Sequence, residues 1–440
     1  MIRASVDNPF TYGNPISDPR RFFGRRREVQ QIFSRLRNTE FESSSIIGDR
    51  RIGKTSMLNY LANAETRAAY GLDAPAQSFV YVDLQMVEVN MTPAQLWIWL
   101  LKKLAAECSN DDTRALVMRE SARTLDAFGL DELFQELDRK GQGVVFLLDE
   151  FENITRNEHF GPDFYFGLRS LAIHHKLALV TSSRRELIDL CHSAEIRSSP
   201  FFNIFANVPM SLFSESDAHE LITATLAPTG IRFSQSEIQY VLNVAGLHPL
   251  FLQIACHFLY EAHLMEWDEA TRLASVSQEF AKEARPHLAS AWRNSIEREK
   301  ITLTALALLE HESAQHRRYF RVEELKDIYA TSDLTLSQLK RRGLVIALRD
   351  SYALSTAIFT DWIISEMKSQ SEEEPSYEEW IASREGMMGR LSGHTREGLR
   401  ELLPRMSNGF RDLVATWLAD PKTAVTAILL LKRAFALDGR

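Results

Sequence analysis

The sequence predicts an α/β fold, in which a parallel sheet carries helices on both faces and is followed by three helix-rich segments. Short apolar runs of β type recur in the first half of the chain, and helical patterns fill the gaps between them. Short buried strands joined by helical crossovers are typical of a parallel sheet that is covered on both faces. After Leu212 the β-type runs give way to helical patterns. The five runs are Ser43–Ile47, Phe79–Leu84, Val144–Leu148, Leu177–Thr181 and roughly Ile204–Leu212.

Composition and capping signals place the domain boundaries in the first 300 residues. Residues 1–30 are rich in Pro, Gly and Arg and are predicted to form an extended arm. The sheet domain is expected over 31–212, and a helical domain, which we call the lid, over 213–298. Within the lid, Ser214–Asp217 and Ser234–Glu237 have the spacing of a capping box, so each predicts the start of a helix.

The remainder of the chain predicts two further helical units. Residues 299–367 show three helical patterns and then two short strands, an order typical of a winged helix. Residues 368–376 are polar and acidic and indicate a linker. Residues 377–440 contain about four short helical patterns. We expect them to form a small all-α unit that serves as an adaptor or interaction domain.

A glycine-rich loop follows the first apolar run. Gly48-Asp-Arg-Arg-Ile-Gly-Lys-Thr55 fits the pattern GxxxxGK[ST] and stands between a predicted strand and a predicted helix. In this pattern backbone N–H groups curl around phosphate oxygens, the lysine reaches the β and γ phosphates, and the hydroxyl binds Mg²⁺. The sequence therefore predicts a P-loop NTPase that binds ATP or ADP with Mg²⁺. The residues expected to contact the nucleotide here are Gly48, Arg51, Ile52, Gly53, Lys54, Thr55 and Ser56, with Lys54 also catalytic and Thr55 also a metal ligand.

The third apolar run ends in two acids that suit nucleotide hydrolysis. Val144–Leu148 is followed directly by Asp149 and Glu150. A carboxylate at the end of a buried strand can hold Mg²⁺ through water, and its neighbour can orient and deprotonate the attacking water. We therefore expect Asp149 to be a metal ligand and Glu150 to be the catalytic base. Two solvated acids at the end of a strand are the alternative.

The fourth apolar run ends in the polar sequence Thr181-Ser-Ser-Arg184. Thr181 or Ser182 is in position to sense the γ phosphate, and we expect Thr181 to contact the nucleotide. Arg184 is expected to be catalytic, because a cation there can stabilise negative charge that develops on the phosphate. A strand followed by an ordinary polar loop is the alternative.

The phosphate loop and the arm together resemble the STAND class of AAA+-related ATPases, which includes the NB-ARC and NACHT signalling proteins. Bacterial members begin with an arm of the form NPF…GxP…FFGRE, and here the arm contains Asn8-Pro-Phe10, Gly13-Asn-Pro15 and Phe22-Phe-Gly-Arg25. This chain departs from the pattern at Arg26, where the family usually has Glu. The resemblance implies that the arm packs on the adenine side of the nucleotide. The arm residues implied are Asn8, Pro9, Phe10, Gly24 and Arg25.

A second match lies in the lid. Gly246-Leu-His-Pro249 resembles the glycine–proline motif of the family, in which the proline touches the base or ribose. The resemblance implies that His248 and Pro249 contact the nucleotide, and a Gly-Pro break between two helices is the alternative. The family often has a second Gly where Leu247 stands. The resemblance covers about residues 8–365, so it does not extend to the last helical unit.

The resemblance implies a switch that is operated by ATP. ADP or no nucleotide would hold the lid and the winged helix shut, ATP would open them, and slow hydrolysis would reset them. Subunits would assemble through their ATPase domains when ATP binds. Bacterial relatives often act in conflict or anti-phage systems with an effector. Because no effector module is visible in this sequence, we expect residues 377–440 to recruit a separately encoded effector protein.

Other functions remain as alternatives. A DNA-acting AAA+ ATPase, such as an origin or transposition factor, would use Lys340–Arg342 at the end of the third helix of the winged helix. The net charge of −8 and the pI of about 5.9 disfavour DNA binding. A regulator that binds ATP without hydrolysing it is a third possibility, against which Glu150 and Arg184 argue. An arginine that acts on a neighbouring subunit would be Arg197 or Arg169.

Composition predicts a cytoplasmic protein that does not enter a membrane. The N-terminus has no apolar segment typical of a signal peptide. The longest apolar runs, Leu96–Leu101 and Ala424–Leu431, are too short to span a bilayer. Cys108, Cys191 and Cys256 have no CxxC spacing, so we expect three buried free thiols in a reducing compartment.

Overall fold

The computed structural model describes residues 7–39, 41–72, 77–315 and 332–368. These residues form two compact units. The first, which we call the sheet unit, comprises residues 12–225. The second, the lid unit, comprises residues 7–11 and the described residues from 226 to 368.

The sheet unit contains a five-stranded parallel sheet, which confirms the predicted fold class. The strands are β1 (Ser44–Ile47), β2 (Gln77–Asp83), β3 (Gly143–Asp149), β4 (Leu177–Ser183) and β5 (Ala206–Pro209). Their order across the sheet is β2-β3-β4-β1-β5, and every neighbouring pair is parallel. The carboxyl ends of parallel strands meet at one edge, where ligands bind in open α/β sheets. This order therefore brings the loops that follow β1, β3 and β4 together.

Helices cover both faces of the sheet. The helices of this unit are α1 (Arg26–Leu36), α2 (Lys54–Ala62), α3 (Ala64–Ala69), α4 (Pro93–Glu107), α5 (Asp111–Ser121), α6 (Ala127–Arg139), α7 (Glu152–Thr155), α8 (Pro162–His174), α9 (Ala194–Arg197) and α10 (Glu215–Leu226). Alternate residues of β3 enter two different apolar clusters. Phe146 and Leu148 join one cluster, and Val145 and Leu147 join the other. Because both faces are buried, this strand is apolar throughout rather than alternating.

Helix α10 was expected to open the lid, but its residues up to Thr225 belong to the sheet unit. Its first turn contacts the arm. An ideal Cβ on Gly24 would lie 3.2 Å from Asp217 Cβ, and Arg26 donates a hydrogen bond of 2.5 Å to Glu220. The predicted capping box is present at its start, because Ser214 Oγ accepts from the Asp217 N–H and Asp217 Oδ2 accepts from the Ser214 N–H.

The lid unit is mainly helical. Its helices are α11 (Gln235–Ala245), α12 (Pro249–Leu264), α13 (Glu269–Arg293), α14 (Glu297–Gln315), α15 (Ser332–Arg341) and α16 (Ala357–Lys368), and an antiparallel hairpin joins β6 (Val345–Ala347) to β7 (Tyr352–Leu354). Ser234 and Glu237 form the second predicted capping box at the start of α11.

The described residues include most of the predicted winged helix. Helices α14 and α15 and the β6–β7 hairpin occur in the predicted order. The predicted helix between them, over 322–329, lies outside the described residues, so the winged helix stays a prediction. The linker at 368–376 and the unit at 377–440 also lie almost wholly outside them. None of the helices in the described parts of the chain combines the length and the apolar character that a membrane span needs.

Candidate nucleotide-binding site

The predicted phosphate loop connects β1 to α2 at the carboxyl edge of the sheet, and its conformation depends on two glycines. A Cβ atom on Gly48 would lie 2.7 Å from Ile52 Cγ2 and 2.9 Å from the carbonyl oxygen of Met210. Gly53 has a φ of 104°, which L side chains rarely adopt. Gly48 therefore lies against the Ile52 side chain and the backbone after β5, and Gly53 supplies the turn into α2. Glycine-rich turns of this kind can form a backbone cradle for phosphate.

Lys54 occupies the first turn of α2 and is almost buried, with 6% of its surface exposed. Its Nζ donates hydrogen bonds of 2.8 Å to Gly48 O and 3.1 Å to Asp49 O. Among the described residues, no carboxylate lies within 4.0 Å of this ammonium group. A buried cation that is held only by carbonyl dipoles favours a nearby anion, so the loop fits a phosphate group.

Thr55 and Asp149 lie side by side. Thr55 Oγ1 donates a hydrogen bond of 2.7 Å to Asp149 Oδ2, and Tyr81 Oη donates to the same oxygen across 3.1 Å. Burial, and then the charge of Asp149, raise the pKa of Tyr81, so this phenol stays protonated as a donor. A hydroxyl beside a carboxylate offers the hard oxygen ligands that Mg²⁺ prefers, and Mg²⁺ sites commonly use one or two protein ligands together with phosphate. The two residues thus fit a Mg²⁺ ion bound with a nucleotide.

Glu150 stands in a strained turn directly after β3. Its φ of 52° lies in the left-handed region, which is uncommon for residues other than glycine and is often found at functional sites. Ser182 holds this turn, because its Oγ accepts a hydrogen bond of 3.1 Å from the Glu150 N–H. The Ser182 carbonyl accepts another of 2.8 Å from the Phe151 N–H. The side chain and the carbonyl of Ser182 thereby fix the backbone from which the Glu150 carboxylate projects.

Arg184 follows β4 and lies between two carboxylates. Its Nε is 3.1 Å from Glu152 Oε1 and 3.8 Å from Glu150 Oε2. Glu152 is fully buried at 0% exposure. Burial, and then the charge of Glu150, raise the pKa of the Glu152 carboxyl. Sequence reasoning missed Glu152, although its place three residues after Asp149, at the first turn of α7, was a signal.

Comparison with known proteins identifies the family. The sequence profile of the family described as Novel STAND NTPase 2 matches residues 38–308, which is more than half of the chain. The chain belongs to this family. It is therefore an NTPase of the STAND type, as the resemblance implied. The matched region contains the phosphate loop, Asp149, Arg184 and Pro249, and it begins after the arm.

Two solved structures share the fold of this STAND NTPase. The Walker-type ATPase PABY2304 of Pyrococcus abyssi has a TM-score of 0.52 at 14% identity, over 81% of this chain and 99% of that one. The ORC2 protein of Aeropyrum pernix, solved in ADPNP–ADP complexes, has a TM-score of 0.50 at 14% identity, over 83% and 99%. At this identity the likeness concerns the fold alone. The comparison with curated proteins gives no match.

The structure of the STAND NTPase brings Ser182, rather than Thr181, to Asp149. Ser182 Oγ donates a hydrogen bond to Asp149 Oδ1. Thr181 Oγ1 instead donates to Ser45 Oγ on β1 across 3.1 Å and is completely buried. Successive side chains of a strand point to opposite faces of the sheet, so only one of the two can share a face with Asp149. Thr181 is paired with Leu148 of β3, so Ser182 is the residue level with Asp149.

The arm of the STAND NTPase holds the phosphate loop from outside. Gly24 has a φ of 66°, and the buried guanidinium of Arg25 donates to Ile52 O across 3.3 Å and to Ser211 O across 2.6 Å. Arg51 donates to Gly13 O across 2.8 Å, and Ser56 Oγ accepts from the Ile16 N–H across 3.0 Å. Arg25, Arg51 and Ser56 therefore all help to attach the arm to the loop and α2.

The other predicted nucleotide contacts lie in the lid unit. Asn8 donates to His257 O and to Glu261, and Phe10 is buried against the rings of Phe233 and Tyr260. Pro9 lies between them in the chain. His248 is the residue before α12, and Pro249 begins that helix. A role for these residues in binding the base stays a prediction.

The structure does not distinguish between Arg197 and Arg169, the two arginines predicted as candidates to act on a neighbouring subunit. Arg197 is exposed at the end of α9, and Arg169 is half-buried on α8.

Arg342, one of the three residues that the DNA-binding alternative requires, is buried. It donates a hydrogen bond of 2.6 Å to Glu299, so only Lys340 and Arg341 of that stretch are exposed.

Proposed function

We propose that this STAND NTPase binds ATP with Mg²⁺, hydrolyses it slowly, and uses it to switch between a closed state and an assembled one. The observation that carries the proposal is the convergence of Lys54, Thr55, Asp149, Glu150 and Arg184 at one edge of the sheet. They lie on the first turn of α2, at the last residue of β3 and in the loops after β3 and β4. A buried cation, a metal-binding pair, a carboxylate and a second cation are the parts that phosphoryl transfer uses.

Each residue would have one task in the reaction. Lys54 would bind the β and γ phosphates, and Thr55 and Asp149 would hold Mg²⁺. The bound ion would supply positive charge that neutralises the phosphate oxygens. Glu150, whose backbone N–H is held by Ser182, would orient a water molecule and accept its proton. Arg184 would stabilise charge that develops on the transferred group.

Switching requires a ligand that binds two states unequally, because equal affinity shifts no equilibrium. The γ phosphate distinguishes ATP from ADP, and Arg184, Glu150 and Lys54 lie where the proposed site would meet it. A change from nearly all closed to nearly all open needs about 5.5 kcal/mol of differential binding. A few charge-assisted hydrogen bonds can supply that amount.

We further propose, from the resemblance, that the assembled state signals to a separately encoded effector in bacterial conflict or anti-phage defence. Residues 377–440 would recruit this effector. A cytoplasmic site of action is part of the proposal, and three free, buried cysteines support it. The DNA-acting alternative is disfavoured by the net charge of −8 and by the burial of Arg342.

The assembly step has a direct test. Glu150→Gln keeps the shape of the side chain but removes the base, so we expect ATP to bind and turnover to be lost. This variant with ATP and Mg²⁺ should elute as a larger species than with ADP, measured by light scattering after size exclusion. Arg197→Ala and Arg169→Ala in the same background would show which arginine supports assembly. The measurement is repeated with the product of the neighbouring gene as the candidate effector. Identical masses with ATP and with ADP, both with and without that protein, would contradict the switch.

A further inference from the structure

Arg184 has a closer anionic partner than the predicted catalytic base. Its Nε donates a hydrogen bond of 3.1 Å to Glu152 Oε1, while Glu150 Oε2 is 3.8 Å away. Glu152 begins α7, and Arg184 follows β4, so the pair joins the loops after two neighbouring strands. The cation assigned to the phosphate is thus already engaged by a protein carboxylate.

Water cannot replace Arg184 as the partner of the Glu152 carboxylate. The residue is 0% exposed, and its second oxygen, Oε2, has no hydrogen-bond partner among the described residues. A buried carboxylate that loses its ion-pair partner is left as an uncompensated charge, which is strongly unfavourable. The Arg184 guanidinium therefore leaves Glu152 only if a stronger anion attracts it.

The charges around Glu152 belong to the proposed nucleotide site. Burial, and then the charge of Glu150, raise the pKa of the Glu152 carboxyl, whereas its own backbone N–H, Lys54 on α2 and Arg184 lower that pKa. The two cations that would meet phosphate oxygens are therefore the cations that stabilise Glu152. A phosphate and the Glu152 carboxylate are rivals for the same positive charge.

We propose that Glu152 is a positioning residue that holds Arg184 and competes with the γ phosphate for it. In this way Glu152 sets how strongly the site distinguishes ATP from ADP. The inference rests on the proposed function, because it takes Arg184 as the residue that meets the γ phosphate. ADP lacks that phosphate, so its binding does not draw Arg184 away from Glu152.

The test is the ratio of two affinities, measured by calorimetry with Mg²⁺ at fixed pH. The ligands are ADP and a non-hydrolysable ATP analogue, and the variants are Glu152→Gln, Arg184→Gln and the double variant. In Glu152→Gln the charge that competes with the γ phosphate for Arg184 is removed. The preference for the analogue over ADP should therefore rise about tenfold, which corresponds to one stronger charge-assisted hydrogen bond to the phosphate. In the Arg184→Gln background the same change should leave the ratio unaltered.

A matched control separates this competition from a loss of packing. Glu120 on α5 is also a buried glutamate that pairs with arginines, Arg119 and Arg123. Glu120→Gln should lower the unfolding temperature and leave the affinity ratio unchanged. If Glu152→Gln does not fold, Glu152→Met, which has a similar length and no charge, takes its place.

Three results would overturn the inference. The first is an unchanged affinity ratio in Glu152→Gln. The second is a fall in that ratio, which would mean that Glu152 directs Arg184 onto the phosphate. The third is a rise of equal size in the presence and in the absence of Arg184. A parent protein that binds neither ligand would contradict the proposed function as well. If the parent protein binds both ligands and one of these three results is found, only the role of Glu152 is contradicted.

Discussion

Thr55 Oγ1 donates a hydrogen bond of 2.7 Å to Asp149 Oδ2 and so joins the first turn of α2 to the end of β3. The same carboxylate accepts from Tyr81 Oη, from Ser182 Oγ and from the Glu150 N–H. Such surrounding donors orient a metal-binding carboxylate. Thr55 and Asp149 are therefore the residues through which nucleotide binding is expected to depend on Mg²⁺.

Thr55→Val should remove the Mg²⁺ dependence of nucleotide binding. Valine keeps the shape of threonine but has no oxygen ligand, so Mg²⁺ should no longer strengthen the binding of ATP. Thr55→Ser keeps the hydroxyl and is the matched control. Calorimetric titrations with Mg²⁺ and with a chelator measure the effect. An equal gain from Mg²⁺ in Thr55→Val and in the parent would remove Thr55 from the metal site.

Gly246 in the lid should tolerate no side chain. Its φ of 59° and ψ of −145° fall in a region that only glycine enters readily, and an added Cβ would lie 2.1 Å from Ser355 O. Gly246→Ala should lower the free energy of unfolding by about 3 kcal/mol or more, since strain and a backbone clash combine.

Gly230 provides the control for this prediction. It also has a positive φ, of 76°, but an added Cβ would meet no atom within 4 Å. Gly230→Ala should therefore cost only about 1–2 kcal/mol. Denaturant unfolding of the two variants compares them, and equal losses would show that the contact between Gly246 and Ser355 is not tight.

The sheet and the phosphate loop could be predicted from the sequence because their signals are local. Continuous apolar runs mark β3 and β4, GxxxxGK[ST] marks the loop, and Ser234 with Glu237 marks a helix start. Which hydroxyl of β4 turns toward Asp149 could not be predicted. Both faces of β4 are buried, so no alternation of polar and apolar residues shows that Ser182 rather than Thr181 shares a sheet face with Asp149.

The role of Glu152 and the end of the sheet unit depend on contacts that are distant in the sequence. An acid at the start of a helix is usually solvated, and only the fold shows that Glu152 is buried against Arg184. Similarly, α10 looks like the first helix of a lid. Its place in the sheet unit follows from contacts with Gly24 and Arg26, nearly 200 residues earlier in the sequence.

The three cysteines should be unreactive in the folded protein. Cys108, Cys191 and Cys256 are all buried and free. Burial raises the pKa of Cys191 to about 11, so at pH 8 roughly one thiol in a thousand is ionised. Because the thiolate is the reactive form, alkylation should be slow at pH 8 and should accelerate as the pH rises toward 11. Mass spectrometry after a timed pulse checks this, with the denatured chain as the control that takes up three labels. Rapid labelling of the folded protein would contradict the buried positions.

We propose that the loop from Gly48 to Thr55 binds the phosphates of a nucleotide through Lys54. Lys54→Ala removes a charge-assisted contact of about 1.5–3 kcal/mol or more, so the affinity for ATP should fall at least about tenfold. Lys54 is largely buried, so circular dichroism should first show that the variant is folded. Calorimetric titration of ATP with Mg²⁺ into the parent and into Lys54→Ala is the most direct test. We expect tight binding by the parent and a loss of at least about tenfold in the variant, whereas equal affinities would show that the loop does not bind phosphate through Lys54.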